Sequence, residues 1–142
     1  MLMNASLNAS DHDAKTFAAS ALITLSETGL AAHRIADEIA PETILMDNAR
    51  MLVALHLWLS GPMRPSEIAS LIGMTTGGTT KIVQKLEVAG LVSKRSDDED
   101  GRALIVALTA KGRRTLEDLT EALVPVMDRA VNHLGALRTL AD

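Results

Sequence analysis

Between Pro65 and Gly90 the chain reads as a short helix, a stop, a second helix and a second stop. Pro65 suits a first helical position and Glu67 the positive end of the helix dipole, while Ile68, Ala69, Leu71 and Ile72 supply an inward face. Gly73 is a helix terminator, and Thr75 caps the next helix, which runs to Ala89 before Gly90 stops it. Two helices joined by so tight a turn form a helix-turn-helix. Directly after it the period changes. Residues 91–95 (Leu-Val-Ser-Lys-Arg) and 102–108 (Arg-Ala-Leu-Ile-Val-Ala-Leu) read as strands, joined by the polar turn Asp97-Asp98-Glu99-Asp100-Gly101. The architecture this predicts is mainly α with one small β-hairpin.

The flanks are helical. Phe17, Ala21, Leu22, Leu25 and Thr28 follow helical spacing, Leu30, Ile35 and Ile39 extend it past a Gly29 that breaks or weakens the helix, and Pro41 ends it. Asp47 caps a further helix whose stripe is Met51, Leu52, Leu55 and Leu59, closed by Gly61-Pro62. Thr109 opens a last region in which Leu116, Leu119, Leu123, Met127, Ala130, Leu134 and Leu137 step by three or four, and Pro125 kinks it or divides it in two. Residues 1–12 read as a flexible arm.

Several functions are excluded by what is missing. With no cysteine, disulfides, thiolate metal sites and thiol chemistry are unavailable. No apolar run is long enough to span a bilayer, and the N-terminus lacks the basic and apolar regions of a secretory signal, so a cytoplasmic location is expected. The four histidines (12, 33, 56 and 133) have no metal-ligand spacing, so no metal and no cofactor are expected. No phosphate loop, triad or nucleophile elbow marks an enzyme. Aromatic residues make up 1% of the chain, too few for the stacking platforms of single-strand binders.

The segment RPSEIASLIGMTTGGTTKIVQKLEVAGLVSKRSDDEDGRALIVALTAKG, residues 64–112, resembles the MarR family of winged-helix transcription regulators. The resemblance rests on Ser66 to Ala69, Leu86 to Val92, Asp100 to Arg102 and Leu108 to Gly112 in that order. It implies a winged helix-turn-helix lobe over residues 46–110, flanked by dimerisation helices at 13–45 and 111–142. It also implies a homodimer on palindromic double-stranded DNA, with helix 75–89 in the major groove and wing 91–108 in the minor groove. A small anionic or phenolic effector is expected, with His33 and His56 as candidate contacts. Arg102 takes the minor-groove role, with Asp100 holding the wing tip by a salt bridge.

Local charge agrees with a nucleic-acid partner. The chain carries a net −4, yet between Arg64 and Arg95 five cations (Arg64, Lys81, Lys85, Lys94, Arg95) face two carboxylates (Glu67, Glu87), a local +3. With Thr75 as cap, Thr79, Ile82, Val83 and Leu86 share the inward face of the second helix; Thr76, Gly77, Thr80, Lys81 and Gln84 lie opposite. Gln84 suits adenine, and Lys81 guanine or phosphate. Thr76 and Thr80 suit phosphates or thymine methyls, and Lys85, Arg95, Arg64 and Ser66 the backbone. Gly77-Gly78 either lets the first helical turn approach DNA closely or forms a loop before a helix that starts at Thr79. Leu22, Leu25, Leu116, Leu119, Leu123, Met127, Leu134 and Leu137 are expected at the dimer interface, since long apolar arms would leave a monomer with large exposed patches. The competing reading is a winged-helix protein-interaction module, which the acidic wing and acidic net charge favour.

Overall fold

The computed structural model describes residues 2–41 and 47–141. The elements in chain order are α1 (Leu2–Ile39), α2 (Asn48–Ser60), α3 (Pro65–Ile72), α4 (Thr76–Val88), β1 (Val92–Ser96), β2 (Leu104–Leu108) and α5 (Ala110–Ala141). They fall into two compact units, residues 33–122 and the pair of segments 1–32 and 123–142. Among the described residues, no helix is long and apolar enough to cross a membrane, and no group of three or more His, Asp or Glu side chains gathers as a metal site.

The unit 33–122 is a helical layer closed by the hairpin. Asp47 caps α2, its carboxylate accepting from the N–H groups of Ala49 (2.9 Å) and Arg50 (3.2 Å). Gly73 ends α3 in the left-handed conformation (φ 67°), and the Met74 N–H closes back onto the Ala69 carbonyl at 3.0 Å, turning the chain into α4. Val53, Ile68, Leu86, Leu91 and Val106 are fully buried, drawing one or more side chains from α2, α3, α4, the α4–β1 junction and β2. The strands pair antiparallel with Val92 opposite Leu108 and Ser96 opposite Leu104.

The base of α5 is locked to this hairpin. Thr109 donates its hydroxyl to the Gly90 carbonyl (2.6 Å) and accepts from the Gly112 N–H (3.0 Å), while its own N–H bonds the Leu91 carbonyl (2.9 Å). One side chain thus caps a helix and ties it to the end of α4. Gly112 is buried where α5 passes directly over the Leu91 carbonyl, a distance only a residue without Cβ allows.

In the other unit, Thr24 of α1 and Ala130 of α5 are buried, and the Arg138 guanidinium lies 5.5 Å from the centre of the Phe17 ring. Much apolar surface stays outside: Leu22, Ile23, Leu25 and Leu30 on α1 and Val124, Val131 and Leu140 on α5 are each more than half exposed.

Several sequence expectations change. Helix α1 begins at Leu2 and so takes in the residues expected as a flexible arm, and it runs unbroken through Gly29. Likewise α5 is not divided at Pro125; one missing N–H removes a single rung from a 32-residue ladder. The buried face of α2 is Met51, Val53, Ala54 and Leu57, whereas Leu52 and Leu59 point to solvent. Leu71 of α3 is half exposed rather than inward. The strands begin one and two residues later than expected, and a short bridge between Met63 and Val106 adds to the hairpin. The expected boundary at residues 45–46 lies outside the described residues.

Candidate nucleic-acid interface

Helix α4 presents two faces of opposite chemistry. Thr79, Ile82, Val83 and Leu86 are buried, while Thr76, Gly77, Thr80, Lys81, Gln84 and Lys85 are all exposed. The partition follows from the 3.6-residue period, since the buried set recurs at intervals of three, one and three residues. The Thr75 hydroxyl accepts from the Gly78 N–H at 3.1 Å, so both glycines lie inside a formed first turn. A loop reaching to Thr79 is not what the chain adopts. No atom outside the local backbone lies within 4 Å of where a Gly77 Cβ would stand, so this turn offers open space on its outer side.

Thr80 is less available than expected. Its hydroxyl donates back to the Thr76 carbonyl at 2.9 Å, which leaves its methyl and its acceptor lone pairs facing outward.

The cations divide into two groups. Arg64 pairs with Asp97 at 2.7 Å, Lys94 with Glu87 at 3.7 Å, and Arg95 with Asp98 at 3.5 Å. Lys81, Lys85 and Arg102 are exposed and pair with no carboxylate among the described residues. Three of the five cations that give residues 64–95 their local +3 are therefore matched by acidic neighbours, two of which (Asp97 and Asp98) lie outside that segment. Between Arg64 and Arg102, the cations without a carboxylate partner are therefore the two lysines on the outer face of α4 and Arg102 on the wing.

The wing tip is built by backbone contacts. Asp97 and Ala103 bond across the turn at 2.9 Å, and the Asp100 carboxylate accepts from the Arg102 backbone N–H at 3.2 Å. Asp100, expected to hold the wing tip by a salt bridge, instead does so through a side chain-to-backbone turn, its carboxylate reaching the N–H two residues on. The Arg102 side chain is left exposed. Ser66 is exposed in the first turn of α3.

Arg64 was expected on the nucleic-acid backbone, but its guanidinium is engaged within the chain. Its partner Asp97, 33 residues away, also accepts from the Glu99 N–H at 3.1 Å. The Arg64 hydrogen bond, with the Glu99 N–H adding to it, holds the Asp97 carboxyl below the usual carboxylate range, and Asp97 in turn raises Arg64 above its ordinary value. Sequence reasoning missed this pair, and no local signal marks it.

The remaining candidates separate. Leu22 and Leu25 are exposed, Met127 is partly so, and Leu134 and Leu137 are half-buried. Leu116 and Leu119 are fully buried within the chain, and Leu123 is nearly so. His56 is half-buried on α2, and His33 has a buried Nδ1 with no hydrogen-bond partner among the described residues.

A buried helix face, its exposed counterpart and an attached hairpin together match a known pattern: residues 50–104 fit the model of the MarR family. The match spans less than half of the chain, and over that stretch the chain is similar to the MarR family. It is 31% identical over 64 residues to the uncharacterized HTH-type transcriptional regulator YcgE of Bacillus subtilis, covering 45% of this chain and 42% of that one. It is also 31% identical over 78 residues to the transcriptional repressor MprA of Escherichia coli K12, covering 55% of this chain and 42% of MprA. The chain spans less than half the length of these curated relatives. Among solved structures it is similar to RV1404 from Mycobacterium tuberculosis, with a TM-score of 0.64, 26% identity and coverage of 80% of this chain and 77% of that one. The matched residues run from α2 through α3, α4, β1 and the wing turn to the first residue of β2.

Proposed function

We propose that this chain is a MarR-family transcriptional regulator that binds palindromic duplex DNA as a homodimer and acts as an effector-responsive repressor. The observation that carries this reading is the outer face of α4, where Gly77, Lys81, Gln84 and Lys85 are exposed and both lysines lack a carboxylate partner among the described residues. A helix of this kind fits a major groove, with Gln84 placed for adenine and Lys81 for guanine or phosphate. Arg102 enters the adjoining minor groove, where a narrow A·T-rich stretch attracts an arginine.

The exposed apolar side chains of α1 and α5, Leu22, Leu25 and Val131 among them, support a second copy as the partner. Two-fold symmetry then asks for half-sites about 34–36 Å apart. MprA, which bears the name repressor, supports the direction of regulation. His33 and His56 are the proposed effector contacts; an effector shifts the balance only by binding the DNA-competent and incompetent forms unequally.

Selection from random duplexes, followed by titration of the selected sequence at several salt concentrations, tests this reading. A palindrome bound with steeply salt-dependent affinity by a species that sediments as two chains is the expected result. A stable dimer that binds no duplex would favour the protein-interaction module instead, the reading that the acidic Asp97–Asp100 turn supports.

A further inference from the structure

The wing is fastened to the start of α3 at two neighbouring points. The first is backbone: Met63 and Val106 exchange both hydrogen bonds, at 3.0 and 2.8 Å, making a one-residue third strand on the hairpin. The second is the 2.7 Å pair between the Arg64 guanidinium and the Asp97 carboxylate. Asp97 stands at the root of the wing turn, immediately after β1, and its N–H is bonded to Ala103 on the returning side. Its side chain is only 14% exposed, and its second oxygen is taken by the Glu99 N–H. Arg64 has Glu67 and Asp100 as further acidic neighbours.

From this geometry we infer that Arg64 and Asp97 are a positioning pair for the wing, setting the angle at which Arg102 meets the second groove, and that Arg64 does not act chiefly as a phosphate contact. The inference rests on the duplex-binding reading above. The physical argument concerns what fixes a hairpin's pitch. A two-stranded ribbon is marginally stable alone. Here the base of the hairpin is held by Thr109 and the buried Leu91 and Val92, and Met63 bridges β2 at Val106. None of these contacts reaches the turn that carries Arg102. The ion pair anchors the end of β1 at that turn, on the strand opposite the Met63 bridge, and so fixes the pitch of the far end of the wing. Arginine suits this task because its planar fork holds direction as well as charge.

The two roles for Arg64 predict opposite signs for one substitution. Asp97→Asn removes a negative charge beside a polyanion and frees Arg64. If Arg64 serves phosphate, that variant binds duplex as tightly as wild type or more tightly. If the pair positions the wing, Asp97→Asn binds about tenfold more weakly, the scale of a lost arginine contact. Arg64→Lys keeps the charge but loses the fork, and it is expected to weaken binding similarly. The Asp97→Asn/Arg64→Lys double variant then shows no further loss, because both changes undo one device.

The readout that a general loss of stability would not give is the footprint. Cleavage protection on the selected duplex should persist in the central major grooves and fade at the flanking minor grooves in both single variants. Equal or tighter binding by Asp97→Asn with an unchanged footprint overturns the positioning role while leaving duplex binding intact. Wild-type protein that binds no duplex overturns the functional reading itself, and the positioning role falls with it. Circular dichroism and urea midpoints of the variants confirm that the lobe is folded in each comparison.

Discussion

The backbone of Gly112 rests on the carbonyl oxygen of Leu91, closer than any side-chain carbon tolerates. The contact joins the first turn of α5 to the residue that leads into β1, and Thr109 reinforces it by capping one and bonding the other. Within the Leu-Thr-x-x-Gly segment the threonine and the glycine therefore do one job together.

Gly112→Ala separates helix propensity from packing. Propensity alone favours alanine in a helix by up to about 1 kcal/mol. The Leu91 carbonyl has no room to yield without moving the chain, and forced overpacking costs about 1–3 kcal/mol. The expected outcome is a net loss of stability in urea unfolding. A variant as stable as wild type would mean that α5 does not sit on Leu91 as described.

Gly77→Ala should go the other way in the free protein. Its Cβ meets open space, so the gain in propensity, smaller near a helix end, is expected to raise the unfolding midpoint. Duplex affinity is expected to fall, because the added methyl stands where the bare backbone would approach a phosphate. Unchanged affinity would show that the helix start keeps its distance from DNA.

Acid should weaken the wing root through Asp97. Its carboxyl titrates below the usual range in the folded chain, chiefly because Arg64 donates to it, so the folded state binds fewer protons there than the unfolded state. The stabilisation is complete above the ordinary carboxylate range and is lost as the pH falls through the lowered folded value. Urea midpoints of wild type and Asp97→Asn, compared from neutral pH downward, are expected to converge in that acid window. Parallel curves would mean that the pair contributes nothing to stability.

Legibility in the sequence followed the range of the interactions. The face of α4 was readable because Thr79, Ile82, Val83 and Leu86 alternate with polar neighbours, so periodicity gave a direction. Helix α2 is apolar on every side, from Met51 through Leu59, and periodicity there had nothing to choose with; Leu52 and Leu59 were accordingly assigned to the wrong face. On α5 the stripe was real, but a stripe does not say what covers it. Leu116 and Leu119 are covered by their own chain, and Leu25 on α1 is not. Arg64 looked like a free cation because its partner lies 33 residues away, beyond any local pattern. Asp100 was expected in a salt bridge, yet its carboxylate is taken by the backbone N–H two residues on, which sequence spacing alone does not choose over a side-chain cation.

The internal pairing of Arg64, Lys94 and Arg95 has a consequence for how such a protein would search a genome. Attraction to random duplex grows with the number of phosphates neutralised, and cations already matched by acidic neighbours neutralise few. On the proposed reading, each encounter with an unrelated sequence is brief. The molecule spends more of its time diffusing between sites than sliding along them, and its occupancy depends more steeply on how well the bases fit Gln84 and Lys81.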